Sequence, residues 1–284
     1  MDVILAKYAG FCYGVRRAVD TVSKAAKQHG SPMYTLGPII HNPQVVEWLA
    51  EQGVQSVRKL EDIPAGSIAV MPSHGVPRRT IEQAESRGLH VIDLTCPFVS
   101  KIYRVAADLV KDGYQVVIVG DMGHTEVRGI MSVAGDDALA VSTPDNLPKD
   151  GLKTKVGIVS QTTQTADRFR SLVGHICTRA YEVRAFNTIC HATTERQNAA
   201  LGTAEEADIM IVVGGRNSAN TKRLAEICAD TGVPTHHVEV AKEIDPAWFK
   251  GAKKVGVTAG ASTPDWIIQE VVEMVQSVPE LGQG

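Results

Sequence analysis

The chain lacks long apolar runs. Its N-terminal M-D-V-I-L-A-K places Asp2 and Lys7 around a stretch too short for a secretory core, and no segment approaches the length of a spanning helix, so a cytoplasmic protein with no membrane partner is expected. It also lacks an excess of positive charge. The 29 Lys and Arg stand against 32 Asp and Glu, a formal charge of -3, which leaves no electrostatic footprint for nucleic acid or an anionic membrane surface. C-x-x-C pairs are missing, and the five cysteines, at 12, 96, 177, 190 and 228, are odd in number and far apart, which argues against a disulfide framework. No Walker A loop is present for a nucleoside triphosphate, and no G-x-G-x-x-G follows a strand for a bound flavin or nicotinamide. What remains is 284 residues, 44% hydrophobic and 21% charged, long enough to bury a sizeable core and suited to small-molecule chemistry.

The sequence does contain a pattern repeated three times. Each copy starts with a cysteine that ends a strand-like run and opens a helical one: A-G-F-C-Y-G-V-R-R at Cys12, D-L-T-C-P-F-V-S-K at Cys96 and N-T-I-C-H-A-T-T-E at Cys190. A β-branched run ending in glycine follows each helix, and then a polar loop that places His41, His124 and Ser218 at offsets of 29, 28 and 28 residues from their own cysteine. A second strand-to-loop junction places His74, Thr162 and Ser262 at offsets of 62, 66 and 72. The connectors K-L-E-D-I-P, P-D-N-L-P and A-K-E-I-D-P occupy equivalent places. Strands alternating with helices at this spacing predict βαβ units with parallel sheets. Three α/β domains are expected, at 13–95, 96–189 and 190–284, with residues 1–12 supplying the strand the third copy lacks and closing a pseudo-threefold ring. In such sheets ligands bind beyond the carboxyl ends of the strands, where all these loops lie.

Three cysteines at one position of a repeated pattern are poorly explained as core filler. Cys177 and Cys228 instead continue apolar helical periodicity and are read as core. Three thiolates suit a zinc site with an open position or a cubane iron-sulfur cluster with one iron lacking a protein thiolate; the wide spacing, with no local ligand pair, favours the cluster. Around it His41, His74 and His124, with Thr162, Ser218, Asn220 and Ser262, offer donors for phosphate oxygens. Glu126, two residues after His124, would have its carboxyl pKa raised by a dry site and suits proton delivery, whereas a solvated Glu there would only complement a helix dipole. Thr162 and Thr163 could extend a proton network or cap a helix. His29, His90, His175, His236 and His237 are read as ordinary histidines, and His191 is assigned no role.

The motifs G-F-C-Y-G-V, L-G-P-I-I-H-N-P, S-H-G-V, T-C-P, G-H-T-E with Gly129, S-Q-T-T, N-S-A-N-T and G-A-S-T-P-D-W run along essentially the whole chain. Together they closely resemble the LytB/IspH family of 4-hydroxy-3-methylbut-2-enyl diphosphate reductases. The resemblance implies one [4Fe-4S] cluster per chain on Cys12, Cys96 and Cys190, with one open iron for the substrate hydroxyl. It implies reductive dehydroxylation to isopentenyl and dimethylallyl diphosphates in the non-mevalonate pathway, with a ferredoxin or flavodoxin as electron donor. It gives His41, His74, His124, Ser218, Asn220 and Ser262 to the diphosphate, Thr162 to substrate contact and Glu126 to proton supply. Ala219 stands where many members have serine, so only its backbone N–H could contribute. Two rivals are weighed: a quinolinate-synthase-like dehydrating condensation, whose dicarboxylate-like substrates would call for Arg or Lys in the inner loops, and an iron-sulfur sensor, disfavoured by the absence of a basic stripe.

Overall fold

A computed structural model describes residues 1–28 and 32–278; His29 lies outside them. In chain order the elements are β1 (Asp2–Leu5), α1 (Tyr13–Gln28), β2 (Met33–Leu36), α2 (Pro43–Glu51), β3 (Val54–Val57), β4 (Ile68–Met71), α3 (Arg78–Ser86) and β5 (His90–Asp93). They continue with α4 (Pro97–Lys111), β6 (Gln115–Val119), α5 (Thr125–Ala134), β7 (Leu139–Val141), β8 (Lys155–Ser160), α6 (Ala166–Cys177) and β9 (Glu182–Ala185). The last are α7 (His191–Glu206), β10 (Ile209–Val213), α8 (Ala219–Ala229), β11 (Thr235–Val238), β12 (Lys254–Ala259) and α9 (Asp265–Ser277).

Among the described residues the fold is α/β with three four-stranded sheets, ordered β3-β2-β4-β5, β7-β6-β8-β9 and β11-β10-β12-β1, and all of the pairings are parallel. The order is the same in each sheet once β1 is placed after β12. The inner strands β4, β6 and β10 are buried along their whole length, without alternation, because both faces are covered. In β6, Val116 and Ile118 pack with α4 and α5 residues such as Ile102 and Ile130, while Val117 and Val119 pack with Leu172 and Ile176 of α6. In β10, Ile209, Ile211 and Val213 join the α9 side, and Met210 and Val212 join Ala200 and Leu224. The fourth strands, β1, β5 and β9, are edge strands carrying charged or imidazole side chains at Asp2, His90, Asp93, Glu182 and Arg184, which discourages further pairing. Each runs into one of Cys12, Cys96 and Cys190. The matching connectors form equivalent 3-10 turns at Leu60–Asp62, Pro144–Asn146 and Ala241–Glu243.

The sheets belong to two compact units. A mid-chain unit, Arg17–Ile40 with Val46–Cys190, holds the first two sheets; a terminal unit, Met1–Arg16 with His41–Val45 and the chain from His191, holds the third. No helix among the described residues is long and apolar enough to cross a membrane.

Candidate active site

In the mid-chain unit the expected residues are linked one to the next. Cys96 immediately precedes α4, and its backbone N–H donates to the Ser73 carbonyl at 2.9 Å, beside His74. The rings of His74 and His124 lie edge to face with centroids 6.5 Å apart. His124 caps α5: its Nδ1 accepts the Glu126 N–H at 3.1 Å, so the ring proton sits on Nε2, which becomes a donor. Glu126 is 2% exposed. Both its oxygens accept from Thr162, one from the backbone N–H and one from the hydroxyl, each at 2.7 Å. Burial pushes its carboxyl up to about 7, although the two Thr162 hydrogen bonds pull the other way. The Thr162 carbonyl in turn accepts the Cys190 N–H at 3.1 Å. Thr162 does not cap a helix; Thr165 caps α6.

The sequence reading missed Tyr103 on α4. A Cβ at either Gly75 or Gly129 would collide with its hydroxyl, so glycine at both positions lets the phenol wedge between the loop after His74 and the helix carrying Glu126. Burial, and then the nearby Glu126 and Asp93 carboxylates, hold its pKa well above the usual tyrosine value. Gln161, fully buried, was also missed; its Oε1 accepts the Asp121 N–H at 3.1 Å and steadies the loop leading to His124. The G-H-T-E-x-x-G spacing was the available signal for a close approach at Gly129.

The terminal unit holds Cys12, His41, Ser218, Asn220 and Ser262. The Cys12 N–H donates to the Ala261 carbonyl at 3.2 Å, next to Ser262, whose hydroxyl reaches the His41 carbonyl at 3.3 Å. A Cβ at Gly215 would lie 2.5 Å from that same carbonyl, which explains the G-G sequence ahead of Ser218. Burial lowers the His41 pKa, favouring the neutral ring. Ser218 caps α8, accepting the Thr221 N–H at 3.3 Å. Asn220 is 5% exposed, yet neither its Nδ2 nor its Oδ1 has a hydrogen-bond partner among the described residues. Such an arrangement costs stability unless something else binds there.

The hydrogen bonds set the register of the repeats. Gly37, Gly120 and Gly214 each donate to the last residue of the neighbouring strand, so His41, His124 and Ser218 are equivalent. The three cysteine N–H groups donate to Ser73, Thr162 and Ala261, which makes Thr163, not Thr162, the counterpart of His74 and Ser262. Offsets counted along the chain missed this because the segments between differ in length.

Cys228 is buried, and burial pushes its thiol up to about 11. Cys177 is exposed, contrary to the core reading. It ends α6, just past the buried stripe of Leu172 and Ile176. His90 is exposed, His175 lies 2.9 Å from the Ser171 carbonyl, His236 stacks on Trp248, and His237 Nε2 lies 2.8 Å from the Gly214 carbonyl. His191 pairs with Glu195 at 3.1 Å. Among the described residues, no group of three or more His, Cys, Asp or Glu side chains is arranged to hold a single metal ion.

Residues 3–276 match the LytB protein family. The chain is 48% identical over 278 residues to 4-hydroxy-3-methylbut-2-enyl diphosphate reductase of Pelobacter propionicus, covering 98% of this chain and 99% of that protein. It is 49% identical over 278 residues to the reductase of the same name from Geobacter metallireducens, covering 98% of each. Among solved structures it resembles (E)-4-hydroxy-3-methyl-but-2-enyl diphosphate reductase, described as the terminal enzyme of the non-mevalonate pathway, with 41% identity, a TM-score of 0.71 and coverage of 98% of this chain and 100% of that one. It also resembles the E-1-hydroxy-2-methyl-but-2-enyl-4-diphosphate reductase of Plasmodium falciparum, with 30% identity, a TM-score of 0.91 and coverage of 98% and 89%.

Proposed function

The chain belongs to the LytB protein family, and from that membership we propose that it reductively dehydroxylates (E)-4-hydroxy-3-methylbut-2-enyl diphosphate to isopentenyl and dimethylallyl diphosphates, the last step of the non-mevalonate route to isoprenoids. The C–O bond to the hydroxyl breaks; two electrons from an external carrier such as a ferredoxin or flavodoxin and two protons complete the balance, one proton leaving in water and one bonding to carbon. We place the reaction in the cytoplasm, where the cysteines stay thiols.

Cys12, Cys96 and Cys190 fit the three-thiolate role in a [4Fe-4S] cluster. Each is partly buried, follows an edge strand, starts a helix and has its N–H tied to the equivalent loop carbonyl. In such a cluster each of the three cysteines would hold a separate iron, so they need not form a single-ion site. When bound, such a cluster supplies electrons and an open Lewis-acidic iron for the substrate hydroxyl.

The chain's own part is binding and proton supply. His124 Nε2–H, His41, His74, Ser218, Asn220 and Ser262 suit the diphosphate oxygens, and the unpartnered amide of Asn220 supports its place in that set. The Glu126–Thr162 pair carries the reading. A carboxyl with a pKa of about 7 holds a proton near neutrality and releases it at modest cost. When Glu126 carries that proton it donates to Thr162, and the Thr162 hydroxyl can then pass a proton to the leaving hydroxyl.

The test is anaerobic reconstitution with iron and sulfide, then turnover of the substrate with dithionite and a viologen mediator, with products identified by mass spectrometry. Formation of both five-carbon diphosphates supports the proposal; a fully loaded chain that leaves the substrate intact overturns it.

A further inference from the structure

The segments leading to the three cysteines are held by different groups. Ahead of Cys190, Thr188 exchanges two hydrogen bonds with the Ser160 backbone, at 2.7 and 2.6 Å. Ahead of Cys96 the holder is Arg17 of α1, whose Nη2 donates to the Leu94 carbonyl at 2.9 Å and the Thr95 carbonyl at 2.8 Å. The Thr95 carbonyl belongs to the peptide bond whose N–H is that of Cys96, and that N–H donates to Ser73. The peptide is therefore fixed at both ends. Ahead of Cys12 the holder is Arg196 of α7, whose Nη2 donates to the Gly10 carbonyl at 2.6 Å, two residues before the cysteine.

Arg196 is only 3% exposed. A guanidinium stays protonated when buried, so each of these contacts brings a full positive charge as well as hydrogen bonds to the cysteine segment. Reduction of an iron-sulfur cluster adds negative charge, and the net charge around a cluster is one of the factors that set its potential.

We infer that Arg17 and Arg196 are positioning residues for Cys96 and Cys12, and that their two guanidinium charges raise the reduction potential of the cluster those cysteines hold. The inference rests on the cluster reading above. It assigns the two arginines separable effects. The hydrogen bonds keep the cysteine segments in place and so retain the cluster, whereas the charge shifts the redox equilibrium.

The experiment compares anaerobically reconstituted wild-type protein with Arg17→Gln, Arg17→Lys, Arg196→Gln, Arg196→Lys and a control, Arg78→Gln, which alters an exposed pair with Glu82. Iron and sulfide per chain, cluster loss to a chelator over time, and the midpoint potential are measured for each, with apo-protein folding checked by circular dichroism. The Gln variants should lose cluster several-fold faster and show a reduction equilibrium displaced about tenfold towards the oxidised form, about 59 mV for one electron. The Lys variants should recover most of the potential but not the retention, because an ammonium keeps the charge and loses the planar fork. The control should match the wild type. Gln variants with wild-type potential and wild-type retention overturn the inference, as do Lys variants whose potential falls as far as that of Gln. Should either Gln variant fail to fold, its Lys counterpart carries the test, since an unchanged rate of cluster loss there also overturns it. A wild-type chain that takes up no iron and sulfide overturns the cluster reading instead.

Discussion

The two units carry different chemistry. The mid-chain unit contains the strongly raised carboxyl of Glu126, and next to it two imidazole rings at edge contact. The terminal unit contributes hydroxyls, an amide and a histidine whose burial favours the neutral form. The difference teaches where precision is needed. Proton transfer depends on heavy-atom separations close to those of a hydrogen bond, and the Glu126–Thr162 pair reaches them inside one unit without help from the other. Neutral donors, which the diphosphate role proposed for the terminal unit would use, tolerate looser placement and can accept a ligand without changing charge.

The sharpest way to break this division is to compare Glu126→Gln with Ser262→Ala. Loss of the acid should lower kcat by about 10²–10⁴-fold with substrate binding retained. Loss of the hydroxyl should act mainly on KM. Steady-state kinetics of both reconstituted variants decide the matter, and equal effects on kcat would erase the distinction. The wild-type rate should also fall as pH rises above about 7, where Glu126 loses its proton, and that descending limb should vanish in Glu126→Gln.

The same group makes a stability prediction. A carboxyl whose pKa lies near 7 when folded and near 4.5 when unfolded binds its proton more tightly in the folded state, so stability is fully present below about 4.5 and is lost as pH rises to about 7. The loss is about 3 kcal/mol, and urea titrations of the apo-protein across that range should show it in wild type and not in Glu126→Gln. In the terminal unit the corresponding test is Asn220→Leu. Removing an unpartnered buried amide should stabilise the apo-protein by about 1 kcal/mol while weakening diphosphate binding. Destabilisation together with intact binding would mean the amide serves the fold.

The smallest effect concerns the two cysteines outside the repeat. Cys177→Ala should change stability by less than about 0.5 kcal/mol, and Cys177 should react with a thiol reagent in the native protein. Cys228 should react only on unfolding.

Much of the fold was legible because its signals are local. Continuous apolar runs such as Q-V-V-I-V identify strands covered on both faces, glycine follows them where the chain turns, and the cysteines sit at the strand-to-helix junctions. The third copy of the repeat lacked its last strand, and β1 pairs with β12. The raised carboxyl of Glu126 was legible from its place two residues after His124, but its partner was visible only as a threonine with two possible roles. Cys177 was misread because periodicity cannot tell the last residue of a helix from one in its middle. Tyr103 left no signal of its own, only the two glycines that make room for it.

By itself the sequence determined the α/β architecture, the positions of the three junction cysteines and the residue types available for phosphate and proton chemistry, because each of these follows from the spacing of neighbours along the chain. Only the tertiary structure decided how burial tunes Glu126, that Thr163 rather than Thr162 is the repeat counterpart of His74, and that Arg17 and Arg196 hold cysteine segments 78 and 186 residues away. Those facts depend on which distant carbonyls, glycines and apolar surfaces come to lie beside a group, and no local pattern contains that information.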